Sequence, residues 1–359
     1  MQFFQRCTAR MRRLRPVFDG HLEVTVTVAV ALSVAGLLAA SLIASRDAVV
    51  LVVALSACSA AVYVSYLVRP KARLRRAALI GLRRGEFYVV YQPIVDIRTR
   101  HCVGLEALLR WDHPKFGVGG PAQFIGGLEG TRLLCVLTRF VLREANSALA
   151  QLPFVQHWHI SVNICARHLM DDRFVEDICE SAGPMLERLV LELTERSCVA
   201  RTPRVVGALS HLRQRDVRLS LDDFGTGFSN LDLLADFRFD HVKVDRRFLA
   251  MRGEARIQFL KSVAALVHSL GAKVVVEGVE SAAEHDVVQR SGIDLAQGYW
   301  YGKPMAIDQL RAFASAKTPI SALHNLTGTE HGVQDECIMD APPPPPPPQP
   351  QPQQQRQQR

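Results

Sequence analysis

Short apolar runs alternate with helix-periodic stretches from about Phe87 to Ala314, and that alternation predicts an α/β fold. Eight runs read as strands, at 87–96, 102–110, 158–163, 188–194, 217–222, 239–245, 273–277 and 293–297. Eight strands with helices between them predict a TIM-type (β/α)8 barrel. Only a few residues separate Asp96 from Cys102. A parallel crossover needs a dozen or more, so the first two strands are expected to pair as an antiparallel hairpin.

Side chains alternate faces along a strand, so one parity meets the surrounding helices and the other points into the barrel. Leu189, Leu191 and Leu193 take the helix-facing positions, leaving Val190 and Glu192 inward. The same reading turns inward Ser161 and Asn163, Ser220 and Asp222, Lys243 and Asp245, Val275 and Glu277, and Glu106 and Arg110. These polar groups fall late in their strands, and barrel enzymes build their sites at the C-terminal strand ends. Gln297 shares its parity with Ile293 and Leu295 and is placed at the mouth rather than in the core.

Ahead of the barrel, 24–44 and 48–68 are two stretches of about 21 residues without a charge. That length crosses about 30 Å of hydrocarbon at about 1.5 Å per residue. Only Ser45, Arg46 and Asp47 separate them, so a transmembrane two-helix hairpin is expected. Arg6, Arg10, Arg12, Arg13 and Arg15 precede the pair, and Arg69, Lys71, Arg73, Arg75 and Arg76 follow it. The positive-inside bias puts both flanks in the cytoplasm. The expected order is a basic N-terminus (1–23), the hairpin (24–68), a basic juxtamembrane segment (69–84), the barrel domain (85–316) and a disordered Pro/Gln-rich tail (317–359).

The net charge of +8 sits largely in those two collars, which argues for membrane lipid as a partner and against nucleic acid. The 8 cysteines are scattered with no C-x-x-C pair, excluding a zinc or disulfide framework by spacing. They are expected to be reduced thiols of a cytosolic domain. His157 and His159 have the spacing of a metal pair but lack a third ligand.

The convergent groups carry the chemistry. Glu106, Glu192, Asp222, Asp223 and Glu277 head for one mouth, opposed by Lys243. Five negative charges against one positive leave four, which two divalent cations would neutralise. Carboxylate oxygens with one amide, Asn163, suit Mg²⁺ or Mn²⁺. Two such ions form a clamp for phosphodiester hydrolysis.

The ordered string Tyr91-Gln92-Pro93-Ile94-Val95, Glu106-Ala107-Leu108-Leu109-Arg110-Trp111, Ser161-Val162-Asn163, Glu192-Leu193-Thr194-Glu195, Asp222-Asp223-Phe224-Gly225-Thr226-Gly227, Lys243-Val244-Asp245, Glu277-Gly278-Val279-Glu280 and Gln297-Gly298-Tyr299 resembles the EAL-domain cyclic di-GMP phosphodiesterases over about 85–315. The resemblance implies a hydrolase at the cytoplasmic face of a bacterial inner membrane that opens cyclic di-GMP to linear pGpG. It further implies that Glu106, Asn163, Glu192 and Asp222 hold one metal, with Asp222 and Asp223 serving the second. Lys243 would orient or acidify the attacking water, Glu277 would position it as metal partner or base, and Gln297 would reach the water around the metals. Glu195 would brace the Asp222-Asp223 loop, which also implies a homodimer contact after Asp223. Gln92, Arg110 and Pro304 match positions lining the dinucleotide groove. Phe228 stands where the family usually has Tyr, and Phe124-Ile125 lacks its following Pro, so the glycines there are expected to loosen a loop. No GGDEF domain stands before the barrel and no sensory domain between the spans. The alternative is a catalytically silent cyclic di-GMP receptor. Such receptors often lose ligands, and none is missing here.

Overall fold

In the computed structural model the described residues are 50, 53–60, 70–114, 117–152, 155, 157–194, 201–225, 234 and 236–315. Strand β1 (Phe87–Asp96) turns directly into β2 (Cys102–His113), and the two pair antiparallel with Gln92 opposite Glu106. Asp96 fixes the turn: its Oδ1 accepts from the Thr99 amide at 2.7 Å, and Arg100 adopts φ 59°. The short connection leaves no room for a crossover, so the hairpin is the outcome chain length dictates.

A three-residue strand, β3 (Gly117–Gly119), then pairs with the end of β2 outside the ring, an element the sequence reading did not anticipate. The remaining strands are β4 (His159–Ile164), β5 (Leu189–Thr194), β6 (Arg218–Phe224), β7 (His241–Val244), β8 (Lys273–Val276) and β9 (Leu295–Gln297). They run parallel from β2 through β9, and β9 meets β1 antiparallel. Since β1 also pairs with β2, eight strands close into a barrel. Each expected strand is present, with ends moved by up to three residues.

The helices are α1 (Pro70–Arg84), α2 (Pro121–Leu128), α3 (Leu133–Ala150), α4 (Ala166–Leu169), α5 (Phe174–Ala182), α6 (Pro203–Arg213), α7 (Gly253–Ser269), α8 (Ala282–Arg290) and α9 (Ile307–Ser315). Thr202 caps α6 through its side chain, and Ser281 with Glu284 forms a capping box on α8, satisfying amides that the helix itself cannot. The basic segment 70–84 is helical and buries Ala72, Ala78 and Leu82. Phe124 to Leu128 belongs to α2, so the glycines expected to loosen a loop lie in a helix. A Cβ at Gly127 would meet Leu74 at 2.3 Å, so the small residue lets α1 approach α2.

The parity reading decides the layers. Leu105, Ala107, Leu109, Ile160, Val162, Leu189, Leu191, Leu193, Leu219, Leu221, Val242, Val244, Val274 and Val276 join one buried cluster with the helices. Ile94, Val275 and Leu295 form a separate small cluster inside the barrel. At the opposite end from the late-strand acids, the buried rings of His159 and His241 stack with centroids 5.5 Å apart. Gly104 makes this possible, because a Cβ there would lie 2.4 Å from the His159 ring.

The expected spans 24–44 and 48–68 fall largely outside the described residues, as do 1–23 and the tail 317–359. Residues 53–60 are helical with Val53 and Leu55 exposed. Among the described residues no helix is long and apolar enough to cross a membrane.

Burial, aided by Arg218 and Lys273 and opposed at His241 by Asp240, depresses His159 to about 3 and His241 to about 4, from an ordinary 6.5. Their contribution is therefore present above pH 6.5, where both states are neutral, and is lost as pH falls because only the unfolded chain takes up protons. Urea unfolding should show stability falling by about 1.4 kcal/mol per pH unit per histidine between pH 6.5 and about 4. A His159→Gln, His241→Gln double variant should flatten that slope. An unchanged slope would mean that other groups govern the acid limb.

Candidate active site

Alternation along β7 aims Lys243 into the barrel, where it is 2% exposed. Four carboxylates from four other segments close on its ammonium: Glu277 at 2.7 Å, Glu192 at 3.0 Å, Asp222 at 3.2 Å and Glu106 at 3.3 Å. Glu106 comes from β2, Glu192 from β5, Asp222 from β6, and Glu277 follows β8. Neither sign would survive here alone, because burying an uncompensated ion costs several kcal/mol. Burial works against the Lys243 ammonium, yet Asp222, Glu106, Glu192 and Glu277 hold its pKa well above the ordinary value.

The acids respond unequally. Burial would raise Glu106, but Lys243 and hydrogen bonds from Gln297 and Asn163 bring it below the ordinary value. Gln297 Nε2 donates to Glu106 Oε2 at 2.7 Å, and Asn163 Nδ2 donates to Glu106 Oε1 at 3.0 Å. Burial dominates at Glu192, and with Glu106 and Asp222 beside it the pKa rises well above 4.5. Burial likewise lifts Glu277 to about 7. One lysine cannot keep four buried acids ionised.

Gln297 lies deeper than expected. It is 4% exposed and also donates to Gln92 Oε1 at 2.9 Å, because β9 pairs antiparallel with β1 and brings residue 297 opposite Ile94. Gln92 Nε2 in turn donates to the Gly302 carbonyl at 3.3 Å.

Asp223 adopts φ 60°, a left-handed conformation that Asp tolerates better than bulkier residues and that marks a built turn. Arg247 clamps that turn by donating to the Gly225 carbonyl, while its own amide donates to Asp245 Oδ1 at 2.8 Å. Oxygens of Asp222, Asp223 and Glu277 lie within 4.8 Å of one another. Asp222 Oδ1 is buried and, among the described residues, accepts no hydrogen bond despite its ion pair with Lys243. Gln297 Oε1 is buried without a partner too. Excess negative charge, grouped carboxylates and unpartnered buried oxygens fit divalent cations that prefer oxygen donors.

These groups floor an open cavity of about 430 Å³ lined by Gln92, Glu106, Asp222, Lys243, Glu277 and Gln297, with Arg246, Arg247 and Tyr299 on its walls. The structure thus gathers Glu106, Asn163, Glu192, Asp222, Asp223, Lys243, Glu277, Gln297 and Gln92 at one end of the barrel. Arg110 is half-buried near Tyr88, Glu106 and Tyr299, donating to its own Leu109 carbonyl at 2.9 Å rather than lining the cavity. Pro304 is partly buried and also stands off the lining. Glu195 and residues 226–233 after the Asp222-Asp223 turn, with the expected dimer contact, lie outside the described residues. Arg246 and Arg247 were not singled out from sequence. Their position directly after the inward Lys243 and Asp245 was the available signal.

The EAL domain family matches residues 71–304, well over half of the chain. The chain belongs to the EAL-domain family. Its match begins inside α1, so the helix after the second apolar stretch is part of the family unit. Among curated relatives, the chain is 31% identical over 251 residues to a probable cyclic di-GMP phosphodiesterase, PdeD, of Escherichia coli, covering 68% of this chain and 47% of that protein. It is 35% identical over 241 residues to the cyclic di-GMP phosphodiesterase PA2567 of Pseudomonas aeruginosa, covering 64% and 40%. The chain therefore spans less than half the length of these relatives. Among solved structures, the PaMucR phosphodiesterase in complex with c-di-GMP superposes with a TM-score of 0.61 at 31% identity, covering 66% of this chain and 99% of that one. The EAL enzyme Bd1971, bound to cAMP and cyclic di-GMP, gives 0.64 at 25% identity over 76% of each chain.

Replacing Lys243 by Met should destabilise the metal-free protein by about 3 kcal/mol, because the acids lose the buried cation that all four of them contact. Urea unfolding in a chelator measures the loss. An unchanged midpoint would show that protonation alone satisfies the four acids.

Proposed function

We propose that this EAL domain hydrolyses cyclic di-GMP to linear pGpG by a two-cation mechanism. The observation that carries the reading is the ring of four carboxylates around Lys243, with oxygens of Asp222, Asp223 and Glu277 within 4.8 Å of one another. The relatives named as cyclic di-GMP phosphodiesterases and the c-di-GMP complex of a structural neighbour support the substrate.

Glu106, Asn163, Glu192 and Asp222 would hold one Mg²⁺ or Mn²⁺, and Asp222, Asp223 and Glu277 the other. Bound there, the pair would supply charge neutralisation for the attacking and departing oxygens of an in-line displacement. The chain's own groups do the rest. Asn163 and Gln297 lock both oxygens of Glu106, so that ligand arrives pre-oriented. Lys243 Nζ, 2.7 Å from Glu277 Oε1, donates toward the attacking water, and Glu277 receives its proton. Gln92 faces the dinucleotide from β1, Arg246 and Arg247 on the cavity wall are guanidinium donors for its phosphates, and Arg110, which stands off the lining, would have to swing away from the Leu109 carbonyl to join them.

Purified full-length protein with Mn²⁺ should convert cyclic di-GMP to pGpG, resolved by liquid chromatography. Glu106→Ala should lower turnover by about a hundredfold to a thousandfold, in the range that loss of a central electrostatic group produces. Binding of cyclic di-GMP without turnover in the wild type would overturn the enzyme reading in favour of a silent receptor.

We further infer that the domain is tethered to the inner membrane with the barrel on the cytoplasmic side, because two uncharged stretches with basic flanks precede it and Val50, Val53 and Leu55 are exposed. In fractionated cells the full chain should sediment with membranes and resist a high-salt wash, whereas deletion of 24–68 should release it. Recovery of the intact chain in the soluble fraction would rule the tether out.

A further inference from the structure

We infer that the end of the barrel opposite the acidic ring binds a phosphate dianion between Arg218 and Lys273, with His159 and His241 beneath it. None of the groups that would hold cations or cyclic di-GMP takes part.

Four strands begin alike. His159, Arg218, His241 and Lys273 are the first residues of β4, β6, β7 and β8. Those strands run parallel, so the four side chains start from one end of the ring. Alternation turns them the same way, because Ile160, Leu219, Val242 and Val274, the residues that follow each, are buried in the layer shared with the helices. The four nitrogen bases are therefore left on the barrel side. Register brings them level: His241 pairs with Lys273 on one neighbour and with Ser220, two residues after Arg218, on the other. The His159 ring stacks on His241 across the interior at 5.5 Å.

What this end lacks is acid. Among the described residues the exposed side chains of Arg218 and Lys273 make no hydrogen bond or ion pair. Neither do the ring nitrogens of His159 and His241, although the two residues are only 8% and 7% exposed. Arg188, just ahead of β5, adds another cation, and it donates to the Trp158 and Val155 carbonyls, each at 2.7 Å, rather than to a carboxylate. The acids that flank these strands are committed elsewhere. Asp240 accepts from Arg213 at 3.1 and 3.2 Å and from the Leu219 amide at 2.9 Å. Asp294 accepts from the Val274 amide at 2.8 Å and lies 2.7 Å from His268. After burial, positive charge from Arg218 and Lys273 lowers both imidazole pKa values further, with Asp240 opposing it at His241.

The donors select the occupant. Guanidinium and ammonium groups only donate, and a neutral imidazole donates through one of its nitrogens. A group rich in acceptor oxygens suits them, and the fixed charges of Arg218 and Lys273 match a dianion. Phosphate and its monoesters carry about two negative charges near neutral pH, on oxygens that point to several sides. The planar fork of Arg218 pairs with two such oxygens while Lys273 acts as a point charge. A carboxylate offers one charge in one plane and would leave a cation unbalanced. Free phosphate and the phosphomonoester end of a nucleotide both present the required group.

The test titrates full-length protein, kept in a chelator at constant ionic strength, with inorganic phosphate and separately with guanosine 5′-monophosphate. Histidine Cε1–H resonances are followed by NMR, those of His159 and His241 being assigned from His159→Gln and His241→Gln. Both should shift saturably, while His211 on α6 should not. Arg218→Ala and Lys273→Ala should each weaken phosphate binding by about tenfold or more, the loss expected of a charge-assisted hydrogen bond. Lys261→Ala, which removes an exposed cation on α7, should leave the affinity unchanged. Tighter binding of the nucleotide would identify a phosphomonoester as the occupant, and tighter binding of phosphate the free ion. Absence of saturable shifts at the two histidines with either ligand, or wild-type affinity in both the Arg218 and Lys273 variants, would overturn the inference.

Discussion

One buried ammonium among too many carboxylates governs this barrel. Lys243 and the acids around it could not be buried separately, and together they still leave unbalanced negative charge. Solvent cannot relieve the excess, since Glu106 and Glu192 are both buried. Without cations the remaining route is protonation, and the raised pKa values of Glu192 and Glu277 show which acids take it. Cation binding would then displace protons from the same oxygens. The charge imbalance that strains the metal-free barrel is thus the source of its affinity for divalent ions.

The rest of the architecture serves to hold that imbalance in register. Parallel strands bring Glu192 beside Asn163 and place Asp222 beside the end of β5. The irregular antiparallel start contributes what a fully parallel barrel could not. With β1 paired to β2 in one direction and to β9 in the other, Gln92 faces Glu106 and Gln297 reaches both. Glu106 consequently has each oxygen fixed by an amide from a different strand. Asp223 and Glu277 stand beyond or at the ends of their strands, where the backbone bends and Arg247 supplies the missing brace.

Most of this was legible because alternation is a local property. Reading Leu189, Leu191 and Leu193 as helix-facing was enough to send Glu192 inward, and the same step found Asn163, Asp222 and Lys243. The hairpin was legible from the few residues between Asp96 and Cys102. What escaped depends on contacts between distant segments. Helix α1 looked like a basic collar because its arginines hide the spacing of Ala72, Ala78 and Leu82, whose burial needs α2 and the barrel. Gln297 was placed at the mouth because nothing in its own strand announces Gln92 and Glu106 as partners. Arg247 acts through a backbone carbonyl, which no side-chain pattern records.

Inside the barrel the chain carries two polar populations, the charged ring at one end and the stacked imidazoles at the other, together with the small apolar cluster of Ile94, Val275 and Leu295. The two ends meet the cost of burial in opposite ways. The histidines stay neutral because burial outweighs their neighbours, Asp240 and Asp294 beside His241 included, and the His159 ring packs flat over Gly104. Among the acids at the other end, Glu106 keeps its charge beside Lys243, Gln297 and Asn163. Burial keeps the low-dielectric surroundings that make each interaction in the ring strong. Electrostatic pre-organisation at the mouth therefore depends on hydrophobic packing around it, and the stability that tolerates the strained ring comes from the leucine and valine faces turned toward the helices.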